Sequence, residues 1–108
     1  MTKIQVTPAE SEVLAALWRR GPLSYADLID EVRTAQSWGD ATIKTLLGRL
    51  MRKGAIRSEK VDGRQRYRPL IERAAWLDGE VQALVDRLFG GSRLLLAEHL
   101  AQTGRGPI

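Results

Sequence analysis

The sequence predicts a mainly α-helical fold with one small β-hairpin. Three observations predict it. Apolar residues recur at helical spacing in five separate stretches. One Asp62-Gly63 dipeptide, a strong hairpin signal, sits between two short basic runs. At 108 residues, the chain is bounded to one compact domain, or one domain plus a small appendage, with enough apolar material to fold without disulfide or metal.

The elements follow in order. Thr7-Pro8-Ala9-Glu10 starts the first helix: Thr7 caps, Pro8 suits the first helical position, and Glu10 completes a capping box. Val13, Leu14, Leu17 and Trp18 form its apolar stripe, and Gly21-Pro22 ends it. Ser24 caps a short second helix carrying Leu28, Ile29 and Val32, which fades near residues 34–37. A third helix begins at Gly39 or Asp40, with Asp40 suiting the positive helix end. Its stripe is Ile43, Leu46, Leu47, Leu50 and Met51, and Gly54 closes it. Residues 55–61 form a strand, and Arg64 to Arg68 return as its partner until Pro69 stops it.

A fourth helix is expected over Ile71 to Phe89. Its Leu77, Val81, Leu84 and Leu88 are spaced as in a helix–helix seam, which Trp76, Val85 and Phe89 widen. Gly90-Gly91 breaks it. Ser92 caps a fifth helix bearing Leu94, Leu95, Leu96 and Leu100, and residues 103–108 read as a frayed tail. The last two helices hold more apolar surface than they can hide, so self-association through Leu77, Val81, Leu84, Leu88, Phe89 and Leu95 is the simplest outlet.

Charge is unevenly distributed. Residues 44–68 hold nine cations against Glu59 and Asp62, a net of +7, whereas the flanks are near neutral. Such a block calls for an anionic partner or is a solvated face. The third helix bears on the choice. Opposite its stripe lie Ala41, Thr45, Gly48 and Arg52, flanked by Thr42, Lys44 and Arg49. Small, hydroxyl and cationic groups on that face suit a helix in the major groove of double-stranded DNA. Thr45 can hydrogen-bond a base or touch a thymine methyl, and Lys44 or Arg49 can reach guanine or phosphate. Gly48 permits close approach, or is an ordinary surface position. Arg57, Lys60, Arg64, Arg66 and Arg68, with the narrow tip at Gly63, suit a hairpin following a phosphate backbone, or a solubilising edge. Ser24 and Tyr25 stand where phosphates could be met, or serve in capping and packing. Trp18, Trp38 and Trp76 read as core or interface anchors.

Other chemistry finds little support. The chain has no cysteine, which excludes thiolate metal sites, redox dithiols and disulfides. Its one histidine, His99, forms no metal cluster and has no nucleophile partner, so neither enzyme nor cofactor is expected. Asp27, Asp30 and Glu31 read as a solvated face. No signal core or membrane-spanning run is apparent, so a soluble cytoplasmic protein is the expectation.

Three ordered motifs carry a family resemblance: Thr7-Pro-Ala-Glu-x-Glu-Val-Leu-x-x-Leu-Trp18; Trp38-x-x-x-Thr-Ile-x-Thr-Leu-Leu-x-Arg-Leu-x-x-Lys-Gly54; and Gly63-Arg-x-x-Tyr-x-Pro69. Over about the first seventy residues the chain resembles the penicillinase-repressor family of the BlaI, MecI and CopY type. The resemblance implies a bacterial winged-helix repressor that binds an inverted-repeat operator as a homodimer. It implies DNA contacts at Thr42, Lys44, Thr45 and Arg49 and around the wing at Gly63 and Arg64, and dimerisation through the C-terminal helices. Arg52 and Arg66 join the DNA-binding set from helical position and charge.

The chain also departs from the family pattern. Gly39-Asp40-Ala41 stands where many members have Ser-Pro-Lys, so a cation near the bases is missing and a different operator preference is expected. The antibiotic-responsive members are cleaved at an Asn-Phe bond, a step that implies an upstream sensor or protease as partner. Here Phe89 follows Leu88. The cysteine cluster of the copper-responsive branch is missing. The usual final dimerisation helix is expected to be absent or replaced by the tail containing Gly104, which implies a weaker dimer or a different assembly of the helical pair.

The expected organisation is a winged helix-turn-helix DNA-binding domain over residues 1–70 and a helical dimerisation segment over 71–108. The recognition helix spans about 40–53 and the wing about 55–68. The competing reading is a non-catalytic winged-helix protein-interaction module, since a fold does not dictate its function.

Overall fold

The computed structural model describes residues 4–103; the tail beginning at Gly104 lies outside them. In order come α1 (Pro8–Arg20), α2 (Tyr25–Arg33), α3 (Asp40–Arg52), β1 (Ile56–Val61), β2 (Arg64–Pro69), α4 (Arg73–Leu88) and α5 (Arg93–Thr103). The chain divides into two compact units, residues 1–73 and 74–108.

The first unit closes around one apolar core. Val13, Leu14 and Leu17 of α1, Leu28, Ile29 and Val32 of α2, and Ile43, Leu46, Leu47 and Leu50 of α3 are buried together with Leu23, Ala55 and Ile56. Trp18, Trp38, Tyr25 and Tyr67 pack on its margin. Met51, expected in the α3 stripe, is 39% exposed. It lies about 80° around the helix from Ile43, beyond the arc that the neighbouring helices cover. Ile71, expected to open the fourth helix, instead precedes it and packs on this core, where its carbonyl accepts a hydrogen bond from Trp18 Nε1 (2.9 Å).

The helix starts follow local chemistry. Glu10 N–H donates to Thr7 Oγ1 (3.1 Å) and Thr7 N–H donates to Glu10 Oε1 (3.0 Å), completing the capping box. Ser24 Oγ accepts from Asp27 N–H (3.2 Å), so that hydroxyl caps α2. Gly39 caps α3 with no side-chain bond, and Asp40 supplies the acid of the first turn. After Arg52, Ala55 N–H donates to Leu50 O (2.9 Å) and Gly54 N–H to Met51 O (3.1 Å). This Schellman closure needs the left-handed conformation of Gly54, whose φ is 80°.

Strands β1 and β2 pair antiparallel from Ile56↔Pro69 to Val61↔Arg64. The two-residue turn has positive φ at both Asp62 (54°) and Gly63 (77°), as a type I′ turn requires. Pro69, expected just outside the strand, is its last residue. Leu70 N–H then donates to Ala55 O (2.8 Å). A feature not anticipated from sequence is the bridge between Leu23 and Tyr67, with N–H to O distances of 3.1 and 2.8 Å in the two directions. Tyr67 faces Ser58 across the hairpin, and its own backbone groups turn away from β1. Leu23, in the turn between α1 and α2, satisfies them.

The second unit is a pair of helices. Gly90 and Gly91, both with positive φ, end α4, and Gly91 N–H donates to Val85 O (3.1 Å). Ser92 Oγ accepts from Leu95 N–H (3.2 Å), capping α5 as predicted. Arg93 ties the helices together through Asp78 (3.1 Å) and Gln82 (2.8 Å), and the Phe89 and His99 rings lie 5.9 Å apart. No helix among the described residues is long and apolar enough to cross a membrane.

Candidate nucleic-acid interface

On α3 the buried stripe leaves Ala41, Thr42, Lys44, Thr45, Arg49 and Arg52 exposed on the remaining arc. Ala41, Thr42, Thr45, Leu46 and Arg49 line a shallow open depression of about 330 Å³ on this surface. Thr45 Oγ1 donates to Ala41 O (3.0 Å), so its hydroxyl proton is engaged within the helix. Gly48 lies beneath the Arg52 guanidinium: a Cβ at residue 48 would sit 3.5 Å from Arg52 Nη1, an ordinary contact. Folding of the isolated protein therefore does not demand glycine there.

The hairpin sorts its side chains by alternation. Ile56 and Tyr67 turn to the core. The register and the two-residue period place Arg57, Glu59 and Val61 on the opposite face with Arg64, Arg66 and Arg68. Gly63 and Arg64 are exposed at the tip and Arg66 is half-buried.

Not all nine cations of the basic block are available for an external partner. Lys53 Nζ pairs with Glu10, a carboxylate only 1% exposed, and also donates to Gln5 O (2.8 Å). Burial alone would raise the Glu10 pKa. Hydrogen bonds from Lys53 and Thr7 outweigh it and hold the carboxyl below its ordinary value. Arg57 and Arg68 both approach Glu59 at 3.5 Å. Lys44, Arg49, Arg52, Lys60, Arg64 and Arg66 make no ion pair among the described residues. These six cations fall on α3 and the hairpin.

Two ion-pair clusters that sequence reading missed position this surface. Glu31 receives Arg19 (2.8 Å) and Arg20 (3.0 Å), which corrects its reading as a solvated acid. Those two guanidinium hydrogen bonds lower its pKa. They join α1 to α2. Arg33 binds Asp40 Oδ1 (2.6 Å) and donates through Nε to Trp38 O (2.9 Å), fixing the turn that enters α3. Helical periodicity shows which side chains share one face but not which charges meet between helices, so sequence held no signal for either cluster. Tyr25 is half-buried against the core, in keeping with packing.

In the second unit Leu77, Leu84 and Phe89 are half-buried, while Val81, Leu88 and Leu95 are exposed. The buried residue of α4 is Val85, so the seam expected from spacing alternates between partly covered and open positions.

Comparison with known proteins agrees with this architecture. The chain matches the penicillinase repressor family over residues 6–105, beyond the seventy residues that carried the resemblance. It is 35% identical over 86 residues to an uncharacterized 16.5 kDa protein of Latilactobacillus sakei, covering 80% of this chain but 59% of that protein's length. It is 29% identical to the penicillinase repressor of Bacillus licheniformis, covering 85% of this chain and 73% of the repressor. The solution structure of monomeric BlaI from Bacillus licheniformis, in complex with the blaP half-operator, aligns with a TM-score of 0.61 and 33% identity, covering 69% of this chain and 93% of that one. With the family match running through both units, the chain belongs to the penicillinase repressor family.

Proposed function

We propose that this family member is a DNA-binding transcriptional repressor that lays α3 in the major groove and its wing along the adjacent backbone. The observation that carries the reading is the set of six cations without an ion pair among the described residues, on one helix face and one hairpin. The half-operator complex of BlaI supports it. Thr42, Lys44, Thr45 and Arg49 are the proposed groove contacts. Arg52, Gly63, Arg64 and Arg66 position the protein on phosphates.

We further propose a homodimer bound to a palindromic operator, with half-sites one helical turn or a multiple apart. Exposed Val81, Leu88 and Leu95, next to Leu77, Leu84 and Phe89, offer the apolar surface for a second copy. Repression follows by occlusion of a promoter.

The test is binding of duplexes selected from random DNA, measured across salt concentrations. Six cations bound the slope of log affinity against log salt at about five per protomer. Arg64→Ala is expected to weaken binding to all duplexes alike and to reduce the slope by about one. Salt-independent binding, identical for both proteins, would refute the proposal.

A further inference from the structure

The depression on α3 has a chemical character that the basic face around it lacks. Its lining, from Ala41, Thr42, Thr45, Leu46 and Arg49, offers more apolar than polar surface. The hydroxyl proton of Thr45 is already given to Ala41 O at 3.0 Å. With Oγ1 committed to the helix backbone, the γ-methyl is the part of Thr45 left for an apolar neighbour. Thr42, one turn earlier, makes no side-chain hydrogen bond among the described residues. Arg49, also without an ion pair among the described residues, completes the lining.

The geometry points to this depression as a seat for thymine C5-methyl groups. This inference rests on the repressor reading above and deepens it. In the major groove thymine differs from cytosine by a carbonyl acceptor and by that methyl, and a threonine methyl or alanine is the apolar partner the methyl accepts. A hollow that is more apolar than polar, set within a cationic surface, fits an apolar group carried on a polyanion. The cations hold the duplex against the helix, and the hollow admits the methyl. Thr42 and Arg49, with donors uncommitted, take the polar base edges beside it. Thymine is therefore read by shape and burial at Thr45 rather than by a hydrogen bond from it.

The experiment uses the full chain and the duplex recovered by selection from random DNA. That duplex is resynthesised with deoxyuridine replacing thymine, one position at a time; uracil keeps the pairing and the O4 acceptor and lacks only the methyl. Loss of the methyl at the seated position is expected to weaken wild-type binding about fourfold, the value of one buried methyl-sized group. Thr45→Val keeps the methyl and should keep this discrimination. Thr45→Ser keeps the hydroxyl and loses the methyl, and should bind thymine and uracil duplexes equally. Circular dichroism melting confirms that both variants fold. The proposal is overturned if the wild type binds thymine and uracil duplexes equally at every position, if Thr45→Ser discriminates as the wild type does, or if the selected half-site holds no thymine. In each of those cases salt-sensitive DNA binding persists, and the repressor reading stands. Failure to select any duplex removes both.

Discussion

Glu10 does two jobs with one carboxylate. It closes the capping box at the start of α1, and it receives Lys53 from beyond the end of α3. Its pKa is lowered in the folded protein, so it binds its proton less readily there than in the unfolded chain. Its contribution is therefore fully present above the unfolded glutamate value, about 4.3, and is lost as pH falls through the lower folded value. Replacing Glu10 by Gln is expected to lower stability at neutral pH and to flatten the loss of stability on acidification below about pH 5. Urea melts across that range measure both. Lys53→Met leaves the buried carboxylate without its cation. Because Lys53 is itself 33% exposed, we expect a loss of about 2 kcal/mol, between surface and fully buried pairs. Half of this was legible: Thr7 and Glu10 announced the capping box through their spacing, whereas Lys53, 43 residues later, looked like one more member of a basic block.

At the scale of the element, the proposed complex sets α3 two opposed requirements. Its inner stripe builds the core, and its outer arc would have to remain short enough to enter a groove. Gly48 lies where they separate. In the free protein an alanine there meets only Arg52 at ordinary contact distance, so Gly48→Ala should stabilise the fold by up to about 1 kcal/mol through helix propensity. In the proposed complex the added methyl lies between helix and DNA, and binding should weaken several-fold. Thermal melts together with binding to a selected duplex decide the matter; a stabilised variant with unchanged affinity would make Gly48 an ordinary surface residue. The limits of α1, α2, α3 and the hairpin were readable because caps, glycines and periodicity are local properties of the chain. Met51 and Ile71 were not, because their burial depends on how far neighbouring elements reach around them. The Leu23–Tyr67 bridge gave no signal either, since Gly21-Pro22 reads only as a stop and backbone pairing between distant segments leaves no composition behind.

At the scale of the whole molecule there are two compact units. The first has a full apolar core, and the second exposes Val81, Leu88, Leu94, Leu95 and Leu100. Leu94, Leu95 and Leu96 are consecutive and so spread around α5 rather than lining one face, which is why spacing singled out α4 and said little about α5. If a second copy covers this surface, a charge placed in it should prevent association. Leu88→Asp, at a residue 61% exposed, is expected to fold, to sediment as a monomer and to lose affinity for a palindrome while keeping that for an isolated half-site. An undiminished dimer would place the contact elsewhere.

Ala55 joins α3 to the hairpin, and both of its backbone groups are committed: its N–H to Leu50 O and its carbonyl to Leu70 N–H. Leu23 secures the far side of β2 through Tyr67. Helix and hairpin are thus fixed like the two jaws of a gauge. The gap between them is set by the protein before any duplex arrives. In the proposed complex a duplex whose groove width departs from that gap would have to deform to be bound, at an elastic cost that depends on its sequence. Base pairs that no side chain touches would thereby enter the selection of a site.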